Sequence, residues 1–133
     1  GIVLREGKDV TIIATGLMVP YAIEASEMLK SEGLNVRVIN IHTIKPIDKD
    51  IIAKASKECG AIVTAEEHNI YGGLGSAVAE VLCETHPAPM LRVGTQDVYG
   101  KSGKPYDLMK EYGLSAENIA DNVRKVIAMK KDK

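Results

Sequence analysis

The chain has 133 residues, 45% of them hydrophobic and 26% charged, with a formal net charge of −1. That is enough for one domain with its own core and an ordinary globular mixture. The charge balance provides no basic footprint for a phosphate backbone, and with no Trp, no Phe and five Tyr there is no row of stacking platforms for single-stranded nucleic acid. No apolar run approaches the roughly 20 residues of a membrane span, so neither nucleic acid nor a membrane is an expected partner.

The chain opens on Gly1 and the strand-like Ile2-Val3-Leu4. Without an initiator Met it reads as a processed product or a part of a longer chain, and residues 1–133 read as one domain because no linker divides them. Val10 to Thr15 has the continuous apolar character of a buried strand. Gly16 turns the chain, and Pro20 suits a first helical position, where its missing N–H has no partner to lose. Ala22, Ala25, Met28 and Leu29 then form one apolar face, with Gly33 as the C-terminal cap. Val36 to Ile41 follows as a strand whose alternation predicts less uniform burial than its neighbours. Asp48 is the expected N-cap of a second helix, with Ile47 and Ile52 as a hydrophobic staple and Gly60 as the stop.

Ala61 to Ala65 is short and almost wholly apolar, as a strand covered on both faces should be. A third helix carries Leu74, Val78, Val81 and Leu82 at helical spacing and stops before Pro87. Met90 to Val93 is the last predicted strand. A polar loop from Gly94 to Pro105 precedes a short helix at Tyr106 to Tyr112. Ser115 is the expected cap of the last helix, with Leu114 and Ile119 as a staple and Ile119, Val123, Val126 and Ile127 as its buried stripe. Lys130-Lys131-Asp132-Lys133 suits the negative helix end and is expected to fray into water. Strand and helix alternate throughout, which implies an α/β domain with a mostly parallel sheet and helices on both faces. Cys59 and Cys83 show no metal or redox spacing and no signal peptide is recognisable, the pattern of reduced thiols in a cytoplasmic protein.

Chemistry concentrates after the apolar strand Ala61 to Ala65, in Glu66-Glu67-His68-Asn69-Ile70-Tyr71-Gly72-Gly73-Leu74-Gly75-Ser76. Acidic groups at a strand's carboxyl end beside a glycine-built helix start are placed where open α/β sheets hold ligands. Glu66, Glu67 and His68 have the residue types of an acid–base group, since neighbouring carboxylates and an imidazole shift one another's proton affinity. Neighbouring strand residues point to opposite sides, so a loop-fixing or interface cluster accounts for the same residues. Gly72, Gly73, Gly75 and Ser76 fit an anion site on helix amides, or simply close packing of the helix on the sheet. Gly16, His42 and Lys45 follow other strands and complete a candidate anion or interface site, whereas His86 beside Pro87 reads as surface loop. Gly100-Lys101-Ser102 imitates the end of a P-loop, but Thr95 stands where that motif requires Gly and Pro105 follows where a helix should open. A dinucleotide fingerprint is equally incomplete: Thr15-Gly16-Leu17-Met18 has one glycine, and Val78 holds the last glycine position after Gly73 and Gly75.

The run EEHNIYGGLGSAVAEVL, Glu66 to Leu82, resembles the C-terminal domain of the transketolase family. So do Gly7-Lys8-Asp9-Val10-Thr11-Ile12-Ile13-Ala14-Thr15-Gly16, Val38 through Asp48, Ser102-Gly103-Lys104-Pro105 and Tyr112-Gly113-Leu114. The resemblance covers essentially the whole chain, and the His68-bearing motif is most like the transketolases split into two subunits. Deoxyxylulose-phosphate synthase and the beta subunits of 2-oxoacid dehydrogenases are the related alternatives, the latter with a protein-docking role. The family implies a three-layer α/β/α domain with a five-stranded mixed sheet of order 1-3-2-4-5 and an antiparallel first strand. It implies thiamine diphosphate and Mg2+ in the full enzyme, held by other domains, and transfer of two-carbon ketol units between sugar phosphates. This chain has no Gly-Asp-Gly run followed by a metal-binding Asn. The expected role is therefore support or dimerisation rather than catalysis by this chain alone. Its partners would be the N-terminal diphosphate-binding and pyrimidine-binding domains or subunits, in a homodimer.

Overall fold

The computed structural model describes residues 1–42, 46–66, 73–94 and 116–131. Five strands, β1 (Ile2–Arg5), β2 (Val10–Ala14), β3 (Val36–Asn40), β4 (Ile62–Glu66) and β5 (Met90–Gly94), form one sheet of order β1-β3-β2-β4-β5. β1 runs antiparallel to β3, and the other pairs are parallel. The helices are α1 (Met18–Lys30), α2 (Lys49–Cys59), α3 (Leu74–Glu84) and α4 (Ala116–Lys131). This is the α/β/α arrangement and strand order that the family resemblance implies.

Two cores sandwich the sheet. On one face Val10, Ile12, Val38, Val63 and Val93 meet Ala22, Ala25 and Leu29 of α1 and Ile119, Val123 and Val126 of α4. On the other, Ile13, Ile39 and Ile62 meet Ile52 and Ala55 of α2 and Leu74, Val78 and Val81 of α3. The two-residue period of each strand sends alternate side chains into opposite cores, and the 3.6-residue period of each helix supplies the matching stripe. The central strands β2 and β4 are buried along their whole length, as strands covered on both faces must be.

Helix ends follow the predicted chemistry with one shift. Asp48 caps α2 by accepting from the Ile51 amide at 3.3 Å, and Gly60 closes that helix at φ +73° with its N–H on Ser56 O. Ile47 packs beside Ile52 in the same core, as the staple requires. Gly33, at φ +83°, sits in a Schellman pairing in which Leu34 N–H reaches Leu29 O and Gly33 N–H reaches Lys30 O. Pro20 is the third residue of α1 rather than the first, because turn bonds from Met18 and Val19 N–H to Thr15 and Gly16 carbonyls start the helix two residues early.

β3 is more buried than its alternation predicts. Arg37 is only 7% exposed, because its Nη2 lies 2.7 Å from Glu58 Oε1 and its Nε 3.7 Å from Glu6 Oε1. Paired in this way the guanidinium is accommodated at the sheet margin, where an isolated charge would be expelled. Lys130 departs further from expectation. It does not fray into water: its Nζ donates to Asp9 O at 3.1 Å and to Cys59 O at 2.6 Å, so α4 supplies a cation to the last carbonyl of α2. The short helix expected at Tyr106 to Tyr112, the cap Ser115 and the staple residue Leu114 lie outside the described residues.

Candidate functional site

β2 leads into α1 on one face and β4 into α3 on the other, so the chain order reverses between these two adjacent strands. The crevice beyond their carboxyl ends is the position at which open α/β sheets bind ligands. Thr15 and Gly16 follow β2 there, and Glu66 is the last residue of β4. Thr15 N–H donates to Ala65 O at 3.2 Å, tying the two strand ends together.

Glu66 is 5% exposed, and both of its oxygens are engaged. Oε1 accepts from Leu74 N–H at 3.1 Å and Oε2 from Gly75 N–H at 2.8 Å. The local sequence explains why. Gly73 is the N-cap of α3 and has no side chain to cap with, and the first turn holds no acidic residue. The orphan amides at a helix start need an acceptor, and the positive end of the helix dipole favours an anion. Glu66, eight residues upstream, provides it. The carboxylate therefore stands where the sequence suggested an external anion.

Gly75 is small for a second reason: a Cβ built on it would lie 2.4 Å from Arg92 Cδ. The Arg92 stem from β5 lies across this turn, and its Nη1 donates to Ser76 Oγ at 3.2 Å. Sequence reasoning missed Arg92; only the pairing of a strand-borne arginine with an unexplained helical glycine could have suggested it. The starts of α1 and α2 on this rim are also closed by the protein's own groups. Turn carbonyls serve α1, and Asp48 serves α2.

Of the other candidates, Gly16 turns at φ +55°, and His42 lies exposed beyond β3. Gly73 and Ser76 belong to the α3 start just described. Lys45, Glu67, His68 and Gly72 lie outside the described residues, as does the P-loop-like segment from Thr95 to Ser102. His86 is exposed as expected but also anchored. Ser56 Oγ donates to His86 O at 2.5 Å and lies 3.2 Å from the ring Nδ1. Among the described residues no group of three or more His, Cys, Asp and Glu could hold a metal ion. With the amides at the α1, α2 and α3 starts already engaged, those three helix starts do not fit a metal-bound diphosphate.

The chain matches the family model for the transketolase C-terminal domain over residues 1–119. It belongs to the transketolase C-terminal domain family. The 6-deoxy-6-sulfo-D-fructose transketolase subunit of Clostridium sp. (strain MSTE9) is 44% identical over 127 residues, which cover 96% of this chain and 39% of that protein. The 1-deoxy-D-xylulose-5-phosphate synthase of Heliobacterium modesticaldum is 43% identical over 127 residues, covering 95% of this chain and 20% of that one. Among solved structures, a split-gene transketolase described as an inactive beta4 tetramer superposes with a TM-score of 0.92 at 48% identity, covering 97% of this chain and 42% of that chain. The transketolase C-terminal domain seen here thus spans well under half the length of the relatives it matches. No helix among the described residues is long and apolar enough to cross a membrane.

Proposed function

We propose that the chain is the C-terminal section of a thiamine-diphosphate-dependent transketolase that moves two-carbon ketol units between sugar phosphates, and that it supports the catalytic parts without carrying the reaction itself. The observation that carries the reading is the family match over residues 1–119, together with the 0.92 superposition on a split-gene transketolase. The closed helix starts add a physical reason. A diphosphate needs unspent amides or a cation to grip, and here Glu66 and Asp48 already take up those amides.

In this reading thiamine diphosphate and Mg2+ are held by diphosphate-binding and pyrimidine-binding domains or subunits, and the cofactor supplies the carbanion chemistry. This domain contributes an assembly surface in a homodimeric enzyme. Unpaired Cys59 and Cys83 suit a reducing cytoplasm. Glu67 and His68, between β4 and α3 in the sequence, are the residues we nominate for contact with the catalytic parts, with Gly16, His42 and Lys45, which follow β2 and β3 in the sequence.

The test is reconstitution. The chain alone should show no ketol transfer and no heat on titration with thiamine diphosphate. Joined to the sections that carry the cofactor motifs, it should restore transfer from a ketose phosphate to an aldose phosphate. Turnover by the chain alone would end this reading. The 43% identity to a deoxyxylulose-phosphate synthase favours a second reading, in which the same domain completes that enzyme. Formation of 1-deoxy-D-xylulose 5-phosphate in place of ketol transfer would select it.

A further inference from the structure

We propose that Glu66 is a tethered anion: a positioning residue whose carboxylate serves as the built-in ligand for the start of α3, fixing the β4–α3 corner. Three observations converge on it. Glu66 is buried, with only 5% of the residue exposed. Each of its oxygens accepts a different backbone N–H, from Leu74 and from Gly75, a two-pronged geometry that an ionised carboxylate satisfies with both oxygens. Finally, α3 offers itself no cap, since Gly73 has no side chain and no acid lies in the first turn.

The consequence is chemical as well as structural. Each Glu66 oxygen already holds a main-chain donor of α3, so the carboxylate is engaged by the protein's own backbone before any outside group approaches. Its value lies in joining the end of a central strand to the start of the helix eight residues on. The arrangement resembles an anion-binding helix start in which the ligand is covalently part of the protein. Arg92, lying across Gly75 with its Nη1 on Ser76, adds positive charge beside the same turn and reinforces the preference for an anion there. The inference depends on the transketolase reading only for which face of the enzyme the corner serves. The tests below need no activity, so their failure leaves that reading standing.

Truncation and replacement of the missing atoms decide the matter. Glu66→Ala removes a methylene and a carboxylate, which acetate restores atom for atom. In the full 133-residue chain, Glu66→Ala should lower Tm by roughly 5–10 °C. Acetate at a few tenths molar should recover about 2–4 °C of that loss, relative to chloride at equal ionic strength. Glu66→Gln retains the bulk but puts an N–H2 against an N–H, so it should lose stability and gain nothing from acetate. Amide exchange at Leu74 and Gly75 should quicken about tenfold or more in both variants. If Glu66→Ala does not fold, its refolding yield in acetate against chloride gives the same comparison. A Glu66→Gln chain as stable as the parent, or a Glu66→Ala chain indifferent to acetate, overturns the proposal.

Discussion

The two rims of the sheet are built on different principles. At the amino rim the backbone itself is jammed and cross-tied. Gly7 lies so close to β3 that a Cβ would come within 2.4 Å of Val36 C and 2.5 Å of Arg37 N. Cys59 Sγ takes a hydrogen bond from Thr11 Oγ1 at 3.1 Å and gives one to Gly7 O at 3.4 Å. Lys130 reaches under the sheet to Cys59 O, and Arg37 pairs with Glu58. At the carboxyl rim, side chains hold the helix starts: Glu66 on α3, Asp48 on α2 and Arg92 over Gly75. A methyl at Gly7 would meet main chain, whereas one at Gly75 would meet a side-chain stem. The carboxyl rim is the end where α/β sheets carry function.

Glycine replacements give the sharpest way to break this comparison. Gly7→Ala drives a methyl into main-chain atoms that cannot yield, so it should cost about 3 kcal/mol or more, measured by urea unfolding. Gly75→Ala meets only the Arg92 stem, which can rotate away, and gains helix propensity; its net effect should stay within about 1 kcal/mol in either direction. Equal costs at the two positions would refute the distinction.

Lys130→Met keeps the stem and removes the ammonium that serves two carbonyls, and it should cost about 2 kcal/mol. Acid should act next. The Arg37 guanidinium holds the Glu58 carboxyl below its ordinary 4.5, and Arg124 does the same for Glu32. A carboxyl depressed in the folded state adds stability that is complete above its unfolded value and lost as pH falls through the folded one. Tm should therefore decline as pH drops below about 4.5, and Arg37→Met should flatten that decline. The smallest effect is expected at the thiols. Exposed Cys83 should react at once with a thiol reagent and tolerate Ser within about 0.5 kcal/mol, whereas buried Cys59 should react only on unfolding.

The amino rim was the harder one to read from sequence. Helical spacing located α1, α3 and α4, continuous apolar runs located β2 and β4, and Asp48 and Gly60 announced the ends of α2 through local chemistry. Arg37 and Lys130 escaped because their partners, Glu58 and the Cys59 carbonyl, are brought near only by tertiary folding; a charge at a strand start or helix tail ordinarily signals solvent. Glu66 was legible as important but not in its role. Nothing in a linear string says that a strand-end carboxylate will turn onto amides eight residues ahead, although a helix start made of glycine and leucine with no cap is a hint that some acceptor must come from elsewhere. The strand order and the direction of β1 came through resemblance to the family, since propensity alone does not specify which strand lies beside which.

β1 carries a consequence for how copies of the domain behave in concentrated solution. It is four residues long, its register slips between Val3 and Arg5, and it leaves Ile2 and Val3 51% and 37% exposed at the sheet margin. A long flat margin of that apolar character would template further strands and promote edge-to-edge growth. The brevity and the bulge deny an incoming strand the uniform ladder it needs, so this flank limits lateral polymerisation of the sheet while leaving apolar surface for a partner of another shape.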